Sequence, residues 1–157
     1  KVMDTRKTTP GLRLFEKYAV SVGGGWNHRL DLSSGILIKD NHLQVAGSVK
    51  AAVELSREQN RNNLPIELEV DTLDQLREGL DMDVDGFLLD NMSPKLVQDA
   101  VTIIRSHPNG EKIFVEASGG INYDTLESYA WTGIDAVSMS AITTQASAVD
   151  IKLEFIE

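Results

Sequence analysis

The sequence predicts an α/β domain whose parallel strands close into a six-stranded barrel of the TIM type. Six short apolar runs alternate with amphipathic stretches of helical periodicity, a pattern typical of a parallel sheet covered by helices. The 157 residues suit one domain. Nearly every run ends at polar residues, which favours a barrel over a doubly wound sheet, because a barrel carries its functional groups at the carboxyl ends of all its strands.

Each predicted strand is a short run of apolar or β-branched residues that stops at a polar cluster. The clusters read DTRK, IKDN, EVD, LDN, EASGG and SMS. The six predicted strands are KVMDT (1–5), GILIK (35–39), IELEV (66–70), GFLLD (86–90), KIFVEA (112–117) and DAVSM (135–139).

The predicted helices lie between these strands and carry recognisable start and stop signals. Asp71 precedes one helix and is expected to cap it, while Ser93 followed by a proline begins another and Gly133 ends the last. The five predicted helices cover residues 12–22, 45–59, 72–80, 93–106 and 122–133.

Composition and charge narrow the function classes. The net charge is −9, but residues 1–39 carry seven Lys and Arg against three acids, while residues 40–157 carry eight against twenty-one. A balance of −13 in the larger part argues against a broad basic face for nucleic acid, and a compact cationic segment suits a small anionic ligand. No apolar run approaches the ~18–20 residues of a membrane span.

Processing and compartment signals are few. The chain has no cysteine and no signal-peptide pattern, which fits a reducing compartment such as the cytoplasm. It opens without an initiator methionine on a predicted strand. We therefore expect residues 1–157 to be one barrel domain from the C-terminal portion of a longer protein.

Carboxylates are predicted inside the barrel. Because alternate residues of a strand face the same way, Glu67 and Glu69 share one face of IELEV and point inward, opposite its three apolar residues. Asp90 and Glu116 occur in the next two strands. Buried acids are costly unless they are paired. The expected partners are cations at or just past the strand ends: Arg6, Lys7 and Lys39.

Two loop motifs point to an anionic ligand. In GGGWNHR (23–29) the glycines allow a tight turn that presents His28 and Arg29 together, while we expect Trp26 to serve packing. EASGGIN (116–122) follows a strand with small residues, as phosphate-binding loops do, and SMSAITT (138–144) ends the next strand similarly.

Taken in order, the motifs DTRKTTPGLR, GGGWNHRL, LIKDNH, EVD, LLDNMSP, EASGGI and SAITTQASAVDIKL resemble the quinolinate phosphoribosyltransferase family of NAD biosynthesis. The resemblance implies a six-stranded α/β barrel and a preceding N-terminal domain, absent here, that helps to close the site of the partner subunit in a homodimer. It also implies the reaction: quinolinate and phosphoribosyl pyrophosphate, with Mg²⁺, give nicotinate mononucleotide, CO₂ and pyrophosphate.

The resemblance assigns roles to thirteen residues of this chain. Lys39, Glu69 and Asp90 are implied as catalytic, and Glu69 and Asp90 also as ligands of a Mg²⁺ ion carried by the pyrophosphate. Those implied to bind quinolinate are Arg6, His28, Arg29 and Lys39. Those implied to bind phosphoribosyl pyrophosphate are Thr5, Lys7, Glu69, Asp90, Ser118, Gly119, Gly120, Ser140 and Ala141.

The last loop departs from the family pattern. Ser140 stands where bacterial members often have glycine, which is expected to tighten the approach to phosphate, and Thr144 stands where they often have histidine. His42 and His107 are predicted to lie outside the site.

Two alternatives to this function stay open from the sequence. The first is a related barrel, such as the molybdenum-associated relatives of the family, acting on another anionic substrate. The second is a truncated core that binds ligand and catalyses nothing.

Overall fold

Six parallel strands form one sheet in the computed structural model, which describes residues 1–155. They run in the order β1-β6-β5-β4-β3-β2, each paired in parallel with its neighbour. The strands are β1 (Val2–Met3), β2 (Ile36–Ile38), β3 (Ile66–Val70), β4 (Gly86–Asp90), β5 (Phe114–Ser118) and β6 (Ala136–Ser138). The predicted α/β class and strand count are confirmed, and the predicted bounds of β3 and β4 hold to the residue.

The helices follow the strands, as the alternation predicted. They are α1 (Arg13–Val22), α2 (Asp40–Ala46), α3 (Val49–Gln59), α4 (Leu73–Leu80), α5 (Pro94–Arg105), α6 (Leu126–Ala130) and α7 (Ala141–Thr144). A single 3₁₀ turn at Gly110–Lys112 precedes β5.

Two predicted helices are shorter in the structure. The prediction of one helix over 45–59 is wrong, because Gly47 adopts a left-handed φ of 89° that ends α2, and the Ser48 hydroxyl then accepts from the Ala51 N–H (3.1 Å) to start α3. The predicted start at residue 122 is also wrong. The Asn122 side chain accepts from the Thr125 N–H (3.1 Å) and forms a local turn instead.

Helix α4 is capped by Thr72 and not by Asp71, which corrects the predicted cap. The Thr72 hydroxyl accepts from the Gln75 N–H (3.2 Å), and the Gln75 amide oxygen accepts from the Thr72 N–H (3.3 Å), a reciprocal capping box. Ser93 caps α5 as predicted, with Pro94 in the first turn.

The hydrophobic core lies between the sheet and the helices. In β3 the residues Ile66, Leu68 and Val70 are buried against the helices, while Glu67 and Glu69 are only partly buried and face the other way. Burial of each large apolar side chain contributes about 1.5–3 kcal/mol. The apolar face of the sheet therefore stabilises the fold, and the opposite face is left for polar groups.

Closure between the two outer strands uses a segment outside the ladder. Within residues 1–155 no ladder joins β1 to β2; instead Trp26 N–H donates to Val2 O (2.9 Å) on the free edge of β1. The Arg29 guanidinium then reaches Gly35 O (2.8 Å), immediately before β2. We call residues 26–29 the bridging segment.

Glycine makes the approach to the bridging segment possible. A Cβ on Gly25 would lie 2.8 Å from the Val20 side chain of α1. Trp26 itself is 53% exposed, with Lys1 Nζ 4.2 Å from its ring centre. Trp26 does not line the active-site cavity described below, and its packing role stays a prediction.

The helices of residues 1–155 are all too short or too polar to cross a membrane.

Candidate active site

A cavity of about 490 Å³ opens at the carboxyl ends of the strands. It gathers all thirteen predicted site residues, which come from β1 through α7 and are far apart along the chain. They are Thr5, Arg6, Lys7, His28, Arg29, Lys39, Glu69, Asp90, Ser118, Gly119, Gly120, Ser140 and Ala141. Their convergence on one cavity is a finding; their individual roles stay predictions.

Four cationic or ionisable side chains line this cavity: Arg6, His28, Arg29 and Lys39. Burial lowers the pKa of Arg29, and the nearby charge of Arg6 lowers it further. Two guanidinium groups that disfavour each other in this way leave a strongly positive surface. An anion between them would relieve the repulsion.

Lys39 and Glu69 form an ion pair at the cavity mouth. Burial raises the pKa of Glu69 and the charge of Asp90 adds to the rise, while Lys39 opposes both. The Lys39 backbone N–H donates to His42 Nδ1 (2.8 Å), which caps α2. His42 therefore has a structural role, and neither it nor His107 lines the cavity, as predicted.

Glu67 and Glu116, on the inward face of the sheet, have a partner that the sequence did not indicate, His28, and we call these three residues the floor cluster. Nε2 of His28 lies 3.3 Å from Glu116 and 3.7 Å from Glu67. The expectation that Arg6 or Lys7 would neutralise these carboxylates is wrong, because the bridging segment inserts His28 between β3 and β5.

Ionisation in this floor cluster is strongly perturbed. Burial lowers the pKa of His28, but the short contacts and negative charges of Glu116 and Glu67 outweigh burial and raise it to about 9. Burial raises the pKa of Glu67, and the charge of Glu116 raises it too, against the opposing effect of His28. Both Glu116 oxygens and Glu67 Oε1 are buried without a hydrogen-bond partner among residues 1–155.

His28, Glu67 and Glu116 each offer a ligand atom within 4.8 Å of the others, so the cluster has the composition of a metal site. The Arg29 backbone N–H, however, donates to His28 Nδ1 (2.9 Å), which leaves the hydrogen of the neutral ring on Nε2. A metal would need that nitrogen free of hydrogen. The geometry therefore suits a shared proton better than a metal ion.

The floor cluster also separates two cavities. A second cavity of about 430 Å³ lies on its far side, lined by Glu67 and by residues from the amino ends of the strands. His28, Arg29, Leu37 and Glu116 line both cavities. The active-site cavity is therefore closed below by charged side chains.

The loop after β5 has the conformation that its glycines allow. Gly119 has a φ of +89°, and a Cβ there would lie 2.4 Å from Asn91 Oδ1. The Asn91 N–H donates to Ser118 O (2.9 Å), which ties the loops after β4 and β5 together. Only glycine combines this φ with this close approach.

Ser140 does not strain the neighbouring loop. Its φ of −69° is open to any residue, so the backbone does not require the glycine that the family resemblance led us to expect. The Ser140 side chain lines the cavity. The predicted tighter contact with phosphate stays a prediction.

Sequence reasoning missed Asn91, Asp4 and Lys17. The Asn91 amide donates to Asp90 Oδ2 (2.6 Å) and orients that carboxylate, and an Asn directly after a strand-ending Asp is a usable signal. Asp4 and Lys17 form a buried ion pair. Lys17 carries no sequence signal of burial, because a lysine in an amphipathic helix is normally predicted to face solvent.

Comparison with known proteins now adds the family. The sequence profile described as "Quinolinate phosphoribosyl transferase, C-terminal domain" matches residues 1–154. The chain belongs to this family. This confirms the resemblance read from the motifs and agrees with the six-stranded parallel sheet.

Relatives named for the enzyme cover the chain almost completely. The probable nicotinate-nucleotide pyrophosphorylase (carboxylating) of Bacillus subtilis is 40% identical over 98% of this chain, and the human enzyme of that name is 39% identical over 98%. The crystal structure of NadC from Streptococcus pyogenes is 43% identical over 96% of the chain, with a TM-score of 0.87. The chain spans about half of each of these family members: 52%, 51% and 51%.

Proposed function

We propose that the protein containing this chain transfers the phosphoribosyl group of phosphoribosyl pyrophosphate to quinolinate, with loss of CO₂, to make nicotinate mononucleotide. One observation carries the proposal. Arg6, His28, Arg29 and Lys39 come from three separate places along the chain and line one cavity together with the glycine loop at Ser118–Gly120.

Quinolinate is a flat pyridine ring with two adjacent carboxylates, and its charge matches this cluster of cations. Guanidinium groups such as those of Arg6 and Arg29 can bind a carboxylate through two parallel hydrogen bonds. Lys39 adds a third positive charge, and His28, whose Nδ1 accepts from the Arg29 N–H, lines the same cavity. A substrate with one carboxylate would leave part of this charge unmatched, which favours a dicarboxylate.

The carboxylates of Glu69 and Asp90 suit the ribose and a divalent cation. Glu69 and Asp90 line the cavity near enough to raise the pKa of Glu69, so a shared cation would relieve their repulsion. The donor set therefore fits Mg²⁺, which would be held by Glu69 and Asp90 together with the pyrophosphate. Bound there, Mg²⁺ would neutralise charge on the leaving pyrophosphate.

We infer the following division of labour. Glu69 and Asp90 favour the positive charge that grows at the anomeric carbon as its bond to pyrophosphate breaks, an effect that often amounts to about 10²–10³ in rate for one group. Lys39 acts at the same place by holding Glu69. Thr5 and Lys7 meet the pyrophosphate. Backbone N–H groups of the glycine loop and of Ser140 and Ala141 receive the 5′-phosphate.

The final step needs little from the protein. Attack by the ring nitrogen on the anomeric carbon leaves a positive charge on the pyridine. When the adjacent carbon–carboxylate bond breaks, CO₂ departs and the electron pair stays on the ring carbon beside that charge. A proton then adds to this carbon, so no separate base is required.

We also propose that the protein acts as a homodimer in the cytoplasm, with an N-terminal domain outside this chain closing the partner's site. The family resemblance supports this, as does the fact that the chain spans about half the length of its relatives. The absence of cysteine agrees with a reducing compartment. Neither nucleic acid nor a membrane is proposed as a partner.

Calorimetric titration with quinolinate and, separately, with nicotinate tests the substrate. We expect quinolinate to bind more tightly, because only quinolinate places two carboxylates against the cations. A preference for nicotinate would contradict the dicarboxylate assignment and would favour a related barrel with another anionic substrate.

Substitution of Arg29 tests the site itself. Arg29→Ala should lower quinolinate turnover by at least about 10²-fold, since it removes a charge-assisted carboxylate contact. Lys95→Ala is the matched control, because Lys95 is an exposed cation that pairs with Asp99 on α5 far from the cavity. Normal turnover in the Arg29 variant would refute the assignment.

Equal activity in the 157-residue chain and a full-length protein would exclude the truncated-core alternative.

A further inference from the structure

A buried ion pair lies behind the cavity wall without lining the cavity. Asp4, just past β1, is fully buried, and Lys17 of α1 is 4% exposed. Lys17 Nζ donates to Asp4 Oδ1 at 2.6 Å. Neither residue is among the cavity-lining groups, so the function proposed above assigns them no role.

The pair holds the backbone of His28 from both sides. Asp4 Oδ1 accepts from the His28 N–H at 2.7 Å, and Lys17 Nζ donates to His28 O at 2.9 Å. Both backbone polar groups of His28 are therefore bound by charged atoms. Hydrogen bonds to charged groups are shorter and stronger than neutral ones, so the backbone at His28 is held tightly.

The preceding residue is tied to the same pair. With its amide nitrogen turned toward Asp4, Asn27 donates to Asp4 Oδ2 (2.7 Å) and to Lys17 O (3.0 Å), and its oxygen accepts from the Ser21 hydroxyl (2.9 Å). Every polar atom of the Asp4 carboxylate then has a partner. The pair and Asn27 together form a connected network that joins β1, α1 and the bridging segment.

This network acts where the barrel has no ladder. The bridging segment fills the gap between β1 and β2, and beyond Trp26 its position depends on side chains. The side chains of His28 and Arg29 extend from this segment and line the cavity. A shift of the segment's backbone would therefore move two of the four residues proposed to bind quinolinate. Misplacement by about 1 Å can cost about 10²-fold in catalysis.

We propose that Asp4 and Lys17 are positioning residues, which act through the backbone of His28 to place His28 and Arg29 for the two carboxylates of quinolinate. The inference rests on the proposed function for the identity of the ligand. A buried ion pair is weak evidence for stability as such, because an apolar pair of similar volume often stabilises a fold equally well. What an apolar pair cannot do is bind the N–H and the carbonyl of His28.

The double variant Asp4→Asn/Lys17→Met separates positioning from stability. It removes both charges at nearly constant volume, so no unpaired charge is left in the core. Prepared in the protein at its natural length, it should fold, yet its KM for quinolinate should rise by about 10-fold or more, with the KM for phosphoribosyl pyrophosphate changed by less than about 2-fold. A purely structural pair would leave both constants as they were.

The matched control is the ion pair of Arg105 and Asp135, whose atoms are 2.9 Å apart and which joins α5 to the loop before β6. The variant Arg105→Met/Asp135→Asn should leave both KM values unchanged. If it raises the quinolinate KM as much as the Asp4/Lys17 variant does, the effect is general loosening and the proposal is overturned.

A second readout does not depend on the ligand. Hydrogen exchange at the His28 backbone N–H should be at least about 10-fold faster in the Asp4/Lys17 double variant than in the wild type, with the amides of α5 unaffected. Unchanged protection would overturn the positioning role. If wild-type protein failed to bind quinolinate, the proposed function would fall, and the exchange measurement would still decide whether the pair holds His28.

Discussion

Helices α5 and α1 are both amphipathic, yet α5 buries its apolar side and α1 buries a charged residue of its polar side. Helix α5 buries apolar residues at helical spacing against the sheet: Val97, Ala100, Val101 and Ile104. In α1 the only buried residue is the cation Lys17. Its apolar side chains face outward, and four of them are 70–72% exposed: Leu14, Phe15, Tyr18 and Val22.

The difference reflects what lies beneath each helix. The buried residues of α5 belong to the same apolar core as Phe87 and Leu89 of β4 and Val115 of β5, whose paired backbones need no partner from the helix. Under α1 is the bridging segment, whose His28 backbone groups lack ladder partners and need polar ones. Unpaired backbone groups are expensive to bury. The helix above them therefore supplies a charge, and its apolar side is left exposed.

The largest expected change in the free energy of unfolding follows from removing one charge of the buried ion pair beneath α1. Lys17→Met should lower the free energy of unfolding by about 3–5 kcal/mol, because it leaves the Asp4 carboxylate buried without its cation. Chemical denaturation measures this value. Adding Asp4→Asn should recover much of the loss. A cost below about 1 kcal/mol for Lys17→Met alone would show that Asp4 is not buried as described.

Beneath α5, stability should instead depend on apolar packing. Ile104 is fully buried, and Ile104→Ala should lower the free energy of unfolding by about 3 kcal/mol through lost burial and a residual cavity. Substrate KM values should not change in this variant. A change in the quinolinate KM would mean that the two sides are coupled, which the comparison of α1 with α5 does not predict.

Buried charge on the α1 side should also make stability depend on pH. Because the folded-state pKa of His28 is raised to about 9, the native state holds this proton more tightly than the unfolded chain does. The resulting stabilisation is fully present below pH about 6.5 and is lost as pH rises from there to about 9.

Glu116→Gln checks the cause of this shift. Removing that negative charge should move the pKa of His28 down from about 9 toward its ordinary value of about 6.5, as followed by NMR titration of the imidazole protons. A His28 pKa unchanged by Glu116→Gln would contradict the assignment of Glu116 as its partner.

The smallest effect is expected on the exposed side of α1. Phe15 is 72% exposed, so Phe15→Ser should change the free energy of unfolding of the 157-residue chain by less than about 0.5 kcal/mol. The same measurement on a full-length protein sharpens the comparison. A loss above about 2 kcal/mol there would mean that another part of the protein covers this side of α1.

The fold class could be predicted because its signal is local and repeated. Short apolar runs with polar ends identify parallel strands, and the alternation of Glu67 and Glu69 with apolar neighbours in β3 identifies the inward face before any packing is known. The motif residues likewise converge on one cavity, since the carboxyl ends of parallel strands always meet at one edge of the sheet.

Partners across the gap between β1 and β2 could not be predicted in this way. The order of the functional groups along the chain could be read from the amino-acid sequence: cations come early, carboxylates lie in the middle strands and a glycine loop follows β5. Packing in three dimensions places His28, and not Arg6 or Lys7, beside Glu67 and Glu116, and it turns Lys17 inward to Asp4. These contacts provide partners for backbone and carboxylate groups that are left unpaired where the strand ladder stops. Periodicity along one helix contains no information about such partners.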